Sequence, residues 1–283
     1  MDSSNANDII QVDDLLYELD DLLVSLLQSL NAEDWHRSTY AGEWTVKDIA
    51  SHLLDGNIRS LSMLRDGYFS NQYPVPESYE ELVALLNRLN REWVSAFRRV
   101  SPGILIGLLE DTGKAYCDFI RTLDPFAKAV FAVDWAGEQA SLNWFHVARE
   151  YTEKWHHQMQ MRVAVNRTAA LLDPRFYLPY LETSMRALPY HYRKLKAREG
   201  SRVHVAVREV APAGWTINYN KGWQLERGRP DASEVNATVE LEPDIAWRIF
   251  TKGIDKKSAM DKSRIAGDHN LAMHLFDMLA VMA

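Results

Sequence analysis

Cysteine is almost missing from this chain of 283 residues: Cys117 is the only one. A single thiol excludes an internal disulfide, and a reducing cytoplasm is the simplest setting for such a protein. Cys117 lies in the apolar run YCDFI, where a packed small side chain is the ordinary reading and a nucleophile the exceptional one. Positive charge is also short, with 32 Lys and Arg against 39 Asp and Glu for a net −7. No basic patch with interleaved aromatics stands out, which argues against nucleic acid as the main partner. No stretch approaches the roughly 18 uninterrupted apolar residues of a membrane span. The opening MDSSNANDIIQVDD is polar and acidic, so no signal segment is expected. DTGK, from Asp111 to Lys114, lacks the preceding strand and the upstream glycine spacing of a phosphate loop. No repeat period links the two halves of the chain.

What is present is the composition of a folded protein, 47% hydrophobic and 25% charged, with length enough for two ordinary domains. Ile9, Val12, Leu15, Leu16, Leu19, Leu22, Leu23, Leu26 and Leu27 recur at three- and four-residue steps and predict a long amphipathic helix. A second helix is predicted from Thr45, and a third after Ser78. Thr45 with Asp48, and Ser78 with Glu81, have the spacing of capping boxes. Tyr73-Pro74-Val75-Pro76 reads as an extended loop between them. A fourth helical stretch ends at Asp124-Pro125, and the last long helix runs from about Ser141 to Val163.

After Asn166 the pattern changes. Asp173-Pro174, Pro179 and Pro189 read as breaks, with a short helix between the last two. RVHVAVREV then alternates with a period of two, GWTINYN and GWQLE flank an Asn220-Lys221-Gly222 turn, and ATVELE makes a fourth strand. PDIAWRIFTKG and DHNLAMHLFDMLAVM read as helices. The expected fold is mainly α, a four-helix bundle over residues 1–168 followed by a small α+β domain over residues 169–283.

One segment of the bundle carries an unusual set of side chains. In EYTEKWHHQMQMR, Glu153 and His157 are four residues apart and share a helix face, about 40° apart around the axis. His156, three residues on, lies within about 60° of the same side, so spacing does not say which histidine joins the glutamate. A third ligand would have to come from another helix, and His52 in DIASHLLDG is the candidate, set among Ile49, Leu53 and Leu54. Two histidines and a glutamate are the donor set of a catalytic zinc site with one position left open. The bland alternative is a satisfied core histidine and an ordinary E-x-x-x-H pair on a helix face. The residues alone leave both open.

Three stretches carry a family resemblance. GEWTVKDIASHLLD resembles the signature opening the second helix of the DinB-like metal-binding bundles. TEKWHH resembles the ligand segment of their mycothiol-dependent maleylpyruvate isomerase branch. IAGDHNLAMHLFDML is similar to the ending of the sterol-carrier-protein-like domain that follows that bundle. The resemblance covers nearly the whole chain in the same order. It implies His52, Glu153 and His157 as ligands of a divalent metal, with His156 a neighbour. Zinc is the default, and nickel or iron suits the same donors. Many members place Asp three residues beyond the second histidine, where this chain has Gln160, a departure that bears on the substrate more than on the metal.

The resemblance further implies an enzyme that activates a low-molecular-weight thiol for cis–trans isomerisation or thiol transfer on a small electrophilic acid. Arg59 and Arg149, on the faces of His52 and Glu153, are the candidate contacts for the acid group. A hydrolase using metal-bound water is the alternative. A non-catalytic metal or apolar-ligand binder is a third reading, with Trp215, Trp223 and Trp247 candidates to line a cleft. The sequence names neither the thiol, the substrate nor the oligomeric state.

Overall fold

A computed structural model describes residues 9–69, 77–210, 214–226 and 231–280; the expected Tyr73–Pro76 loop lies outside these. The chain divides into two compact units. One comprises Gln11–Val130 with Leu142–Leu171, and the other Phe131–Ser141 with the chain from Leu172 onward. The segment Phe131–Ser141 therefore leaves the bundle, although the sequence gives it no strand or sheet pattern.

The first unit is helical: α1 (Asp13–Gln28), α2 (Val46–Ser60), α3 (Tyr79–Phe97), α4 (Pro102–Ile120) and α5 (Asn143–Ala164). α2 packs against α3, α4 and α5, and α1 against α4 and α5, so α1, α2, α4 and α5 form the four-helix core with α3 applied to α2. The leucine stripe of α1 is the reason it docks: Leu16, Leu19, Leu23, Leu26 and Leu27 are all buried. Each such side chain contributes on the order of 2 kcal/mol by leaving water. Leu23, Leu26 and Leu27 join Val46, Ile49, Leu53, Leu54, Leu105, Leu109 and Met161 in one cluster.

α2 starts at a complete capping box. Thr45 accepts from the Asp48 amide, and the Asp48 carboxylate accepts from the Thr45 amide. At α3 only half of the expected box forms. Ser78 caps the Glu81 amide, but the Glu81 carboxylate accepts from Glu77 instead. α2 passes at Ser60 into a π-type turn over Leu61–Arg65. No helix among the described residues is long and apolar enough to cross a membrane.

The short α6 (Ala169–Leu172) closes the first unit, and the second contains α7 (Pro174–Met185), α8 (Leu188–Tyr192), β1 (Arg202–Val207), β2 (Gly214–Tyr219), β3 (Trp223–Glu226), β4 (Ala237–Leu241), α9 (Pro243–Phe250), α10 (Lys256–Asp261), β5 (Arg264–Gly267) and α11 (His269–Met273). The sheet order is β3-β2-β1-β4-β5. β1 pairs with β4 in parallel, Val205 opposite Val239, and every other pairing is antiparallel. The expected α+β character is present.

Three local expectations fail. Pro179 lies inside α7 rather than ending a helix, because Tyr177, Tyr180, Leu181 and Met185 bury the surface on either side of it. β5 has no apolar alternation to announce it, being mostly exposed at the sheet edge. The predicted final helix is only five residues of α11 followed by a 3-10 turn, His274–Asp277. Trp215, Trp223 and Trp247 are all buried; Trp215 donates to Glu182 and Trp223 to the Leu195 carbonyl.

Candidate metal centre

α5 is a polar helix in a buried place. Lys154, His156, Gln158, Gln160 and Arg162 are all under a tenth exposed. Burying such groups costs several kcal/mol unless each finds a partner, and the partners define how the helix sits. Lys154 Nζ reaches Asp20 Oδ1 at 2.9 Å and Asn57 Oδ1 at 2.7 Å, tying α5 to α1 and α2 together. Gln158 donates to the Leu19 carbonyl at 2.8 Å and Arg162 to the Leu22 carbonyl at 2.9 Å. Gly113 on α4 makes room for this, since a Cβ there would lie 2.6 Å from Asp20 Oδ2. Cys117 is buried beside the same carboxylate. Burial, with Asp20 adding to it, pushes its thiol up to about 12, which suits a packed side chain and not a nucleophile.

Held in this way, the other edge of α5 presents Glu153, His156 and His157, whose ligand atoms lie within 4.8 Å of one another. Glu153 Oε2 is 3.6 Å from His157 Nε2 and 4.0 Å from His156 Nδ1. From α2, the His52 ring meets the His157 ring edge-on at a centroid distance of 4.7 Å, and the Trp44 ring lies 5.0 Å from it. The compact set of ligand atoms is thus that of Glu153, His156 and His157, and His52 lies beside it in ring contact with His157. The Glu153 side chain keeps 28% of its surface exposed, so the cluster is open on one side.

The ring nitrogens are not equivalent. His157 Nδ1 is 2.9 Å from Gln160 Oε1, an oxygen that can only accept, and the opposite nitrogen, Nε2, faces Glu153. His156 Nδ1 is 3.2 Å from the Thr152 carbonyl and is occupied as a donor to its own helix. His52 Nδ1 is buried with no hydrogen-bond partner among the described residues.

Burial pushes His157 down to about 3, aided by His156 and opposed by Glu153 and Gln160; it pushes His156 down to about 4 against the Thr152 carbonyl. His52 is held well below its ordinary value by burial, with His157, Arg59 and His156 adding to it. Burial raises the Glu153 carboxyl, against His157, Arg149 and Arg59. Neutral imidazoles beside a buried carboxylate form a donor set that fits a divalent cation.

Arg59 and Arg149 stand nearby, both close enough to act on the Glu153 charge. Neither is a free cation. Arg59 Nε is 3.1 Å from Asp55 Oδ2. Arg149 donates to Glu150 Oε1 at 2.5 Å and to His146 Nδ1 at 3.0 Å. Burial works to raise the Glu150 carboxyl, but Arg149, His146 and Lys154 outweigh it and hold it below the usual range. His146, Glu150, Asp55 and the Lys154 network escape a motif-based reading. The signal for them is the recurrence of polar side chains around the entire circumference of a helix this long.

Residues 16–162 match the family model described as the mycothiol maleylpyruvate isomerase N-terminal domain. A protein of Oceanobacillus iheyensis named "Putative metal-dependent hydrolase OB0782" is 27% identical over 120 residues, 41% of this chain. The chain spans 64% of that relative's length. The crystal structure of a histidine-to-alanine mutant of the mycothiol-dependent maleylpyruvate isomerase superposes with a TM-score of 0.52 at 12% identity. That superposition covers 90% of this chain and 92% of the other, and it carries the likeness of fold alone. With more than half of its length matched by the family model, the chain belongs to the mycothiol maleylpyruvate isomerase N-terminal domain family.

Proposed function

We propose that this protein is a divalent-metal-dependent enzyme in which His52, Glu153 and His157 hold the ion. A low-molecular-weight thiol would supply the nucleophile for cis–trans isomerisation of, or transfer to, a small electrophilic acid. The observation that carries this reading is the convergence of α2 on α5: the His52 ring 4.7 Å from that of His157, and His157 Nε2 3.6 Å from the Glu153 carboxylate. Family membership supports it, and the thiol named by the family, mycothiol, is the first candidate. Zn2+ is the default ion for two imidazoles and a carboxylate, with Ni2+ or Fe2+ suited to the same donors. When bound, such an ion supplies a Lewis acid that lowers the pKa of a coordinated thiol.

The chain's own residues do the rest. Glu153 offsets part of the cation's charge, and its exposed edge is the side from which a thiol and a substrate arrive. Three protein donors leave one position for an exogenous ligand. A thiolate presented there would add to an activated carbon–carbon double bond, its electron pair passing to the activating carbonyl as an enolate; rotation about the new single bond and expulsion of the thiolate would then give the isomer. Arg59 and Arg149 contact the acid group, and because each begins in an ion pair, an incoming carboxylate competes with Asp55 and Glu150 for them.

A second reading has an observation behind it. The relative named as a metal-dependent hydrolase points to activated water in place of a thiol. Titrating the Co2+-loaded protein with mycothiol separates the two. A new sulfur-to-metal charge-transfer band supports the thiol reading, whereas an unchanged spectrum together with thiol-independent ester or amide cleavage supports the hydrolase.

A further inference from the structure

The amide of Gln160 is buried on α5, one turn beyond His157, with its oxygen 2.9 Å from His157 Nδ1. We infer that Gln160 is a positioning residue that fixes the tautomer and limits the donor strength of His157. The reading of His157 as a ligand is its premise, and the geometry supplies the rest. A carbonyl oxygen cannot donate, so the 2.9 Å contact with Gln160 favours the proton on Nδ1 over the longer, 3.6 Å approach of Nε2 to Glu153 Oε2, and leaves Nε2 as the nitrogen for a cation. Without that acceptor either nitrogen could carry the proton, and half of the tautomers would aim an N–H at the place where a cation binds.

The neutral amide has a second effect. A carboxylate in the same position would draw the Nδ1 proton strongly and make the imidazole a more basic donor. The amide draws it weakly and leaves more positive charge on the ion. The site is thereby biased toward Lewis acidity at some cost in affinity. Orienting partners of metal-binding histidines change metal affinity by about 10–100-fold when removed.

The test uses the full chain and two readouts. In metal-free protein, the 15N shifts of His157 report its tautomer. The wild type should show Nδ1–H alone, Gln160→Ala should show a mixture, and Gln160→Glu should restore Nδ1–H. Chelator competition for Zn2+ should then place Gln160→Ala about 10–100-fold weaker than the wild type, and Gln160→Glu tighter than the wild type. Nε2–H in the wild type, or a tautomer unmoved by Gln160→Ala, overturns the inference whether or not the protein binds metal. Equal Zn2+ affinity for the wild type and Gln160→Ala also overturns it. Failure of wild-type protein to bind Zn2+, with the tautomers as expected, removes the metal reading and leaves the role of Gln160 in orienting His157 standing.

Discussion

At the scale of single residues, the candidate site turns on which side chains have spare bonding capacity. His156 is as close to Glu153 as many ligands are to one another, yet its Nδ1 is used by the Thr152 carbonyl. His157 ties its Nδ1 to Gln160 in the same way, so what sets it apart from His156 is the His52 ring packed against it at 4.7 Å and its Nε2 3.6 Å from Glu153 Oε2. The proposal therefore separates the two adjacent histidines experimentally. Glu153→Gln and His157→Ala should each weaken Zn2+ binding by at least about 100-fold, while His156→Ala should stay within about tenfold of the wild type. Chelator competition on the three purified variants checks this, and a large loss for His156→Ala with little for His157→Ala would reverse the assignment.

At the scale of elements, α5 is held by polar contacts where bundles ordinarily rely on apolar ones. Lys154 joins three helices through Asp20 and Asn57, with both charged side chains mostly buried. Removing one partner leaves the other charge buried and alone, which costs about 3–5 kcal/mol. Lys154→Met should thus lower the melting temperature by about 10 °C, and Asp20→Asn combined with it should cost less than the two single changes added. Additive losses by calorimetry would mean that the contact is not a coupled pair.

The same elements show what a sequence makes legible. The leucine stripe of α1, the Thr45–Asp48 box and the closeness of Glu153, His156 and His157 on α5 could be read because each is a local pattern with a period or a fixed spacing, whereas His52, on another helix, is tied to them in the sequence only by its apolar neighbours and the family resemblance. Pro179 in α7, the edge strand β5 and the shift of Phe131–Ser141 to the second unit could not, since tertiary packing decides them. The ion pairs of Arg59 and Arg149 were hidden for the related reason that Asp55 and Glu150 carry no motif of their own.

At the scale of the whole molecule, the buried histidines make stability depend on pH in a definite direction. His146 and His156 are both pushed from 6.5 down to about 4, chiefly by burial. Between these values the unfolded chain binds protons that the folded chain refuses, so the contribution of these two histidines to stability falls as pH falls from about 6.5 and is flat above about 7. The loss by pH 4 should amount to a few kcal/mol, because each unit of displacement corresponds to about 1.4 kcal/mol. Urea titrations of metal-free protein from pH 7.5 to 4 measure it, and a midpoint that does not move would show these imidazoles to be solvated. A bound divalent ion should add its own stabilisation above pH 6 and release it on acidification, as protons compete for the donor nitrogens.

The central claim is that one divalent ion is held jointly by α2 and α5. Elemental analysis of protein purified without chelators, wild type beside His52→Ala with both shown to be folded, tests it most directly. The account predicts close to one ion per wild-type chain and a small fraction of that in the variant. An equal metal content in the two proteins, or none in either after incubation with Zn2+, would contradict it.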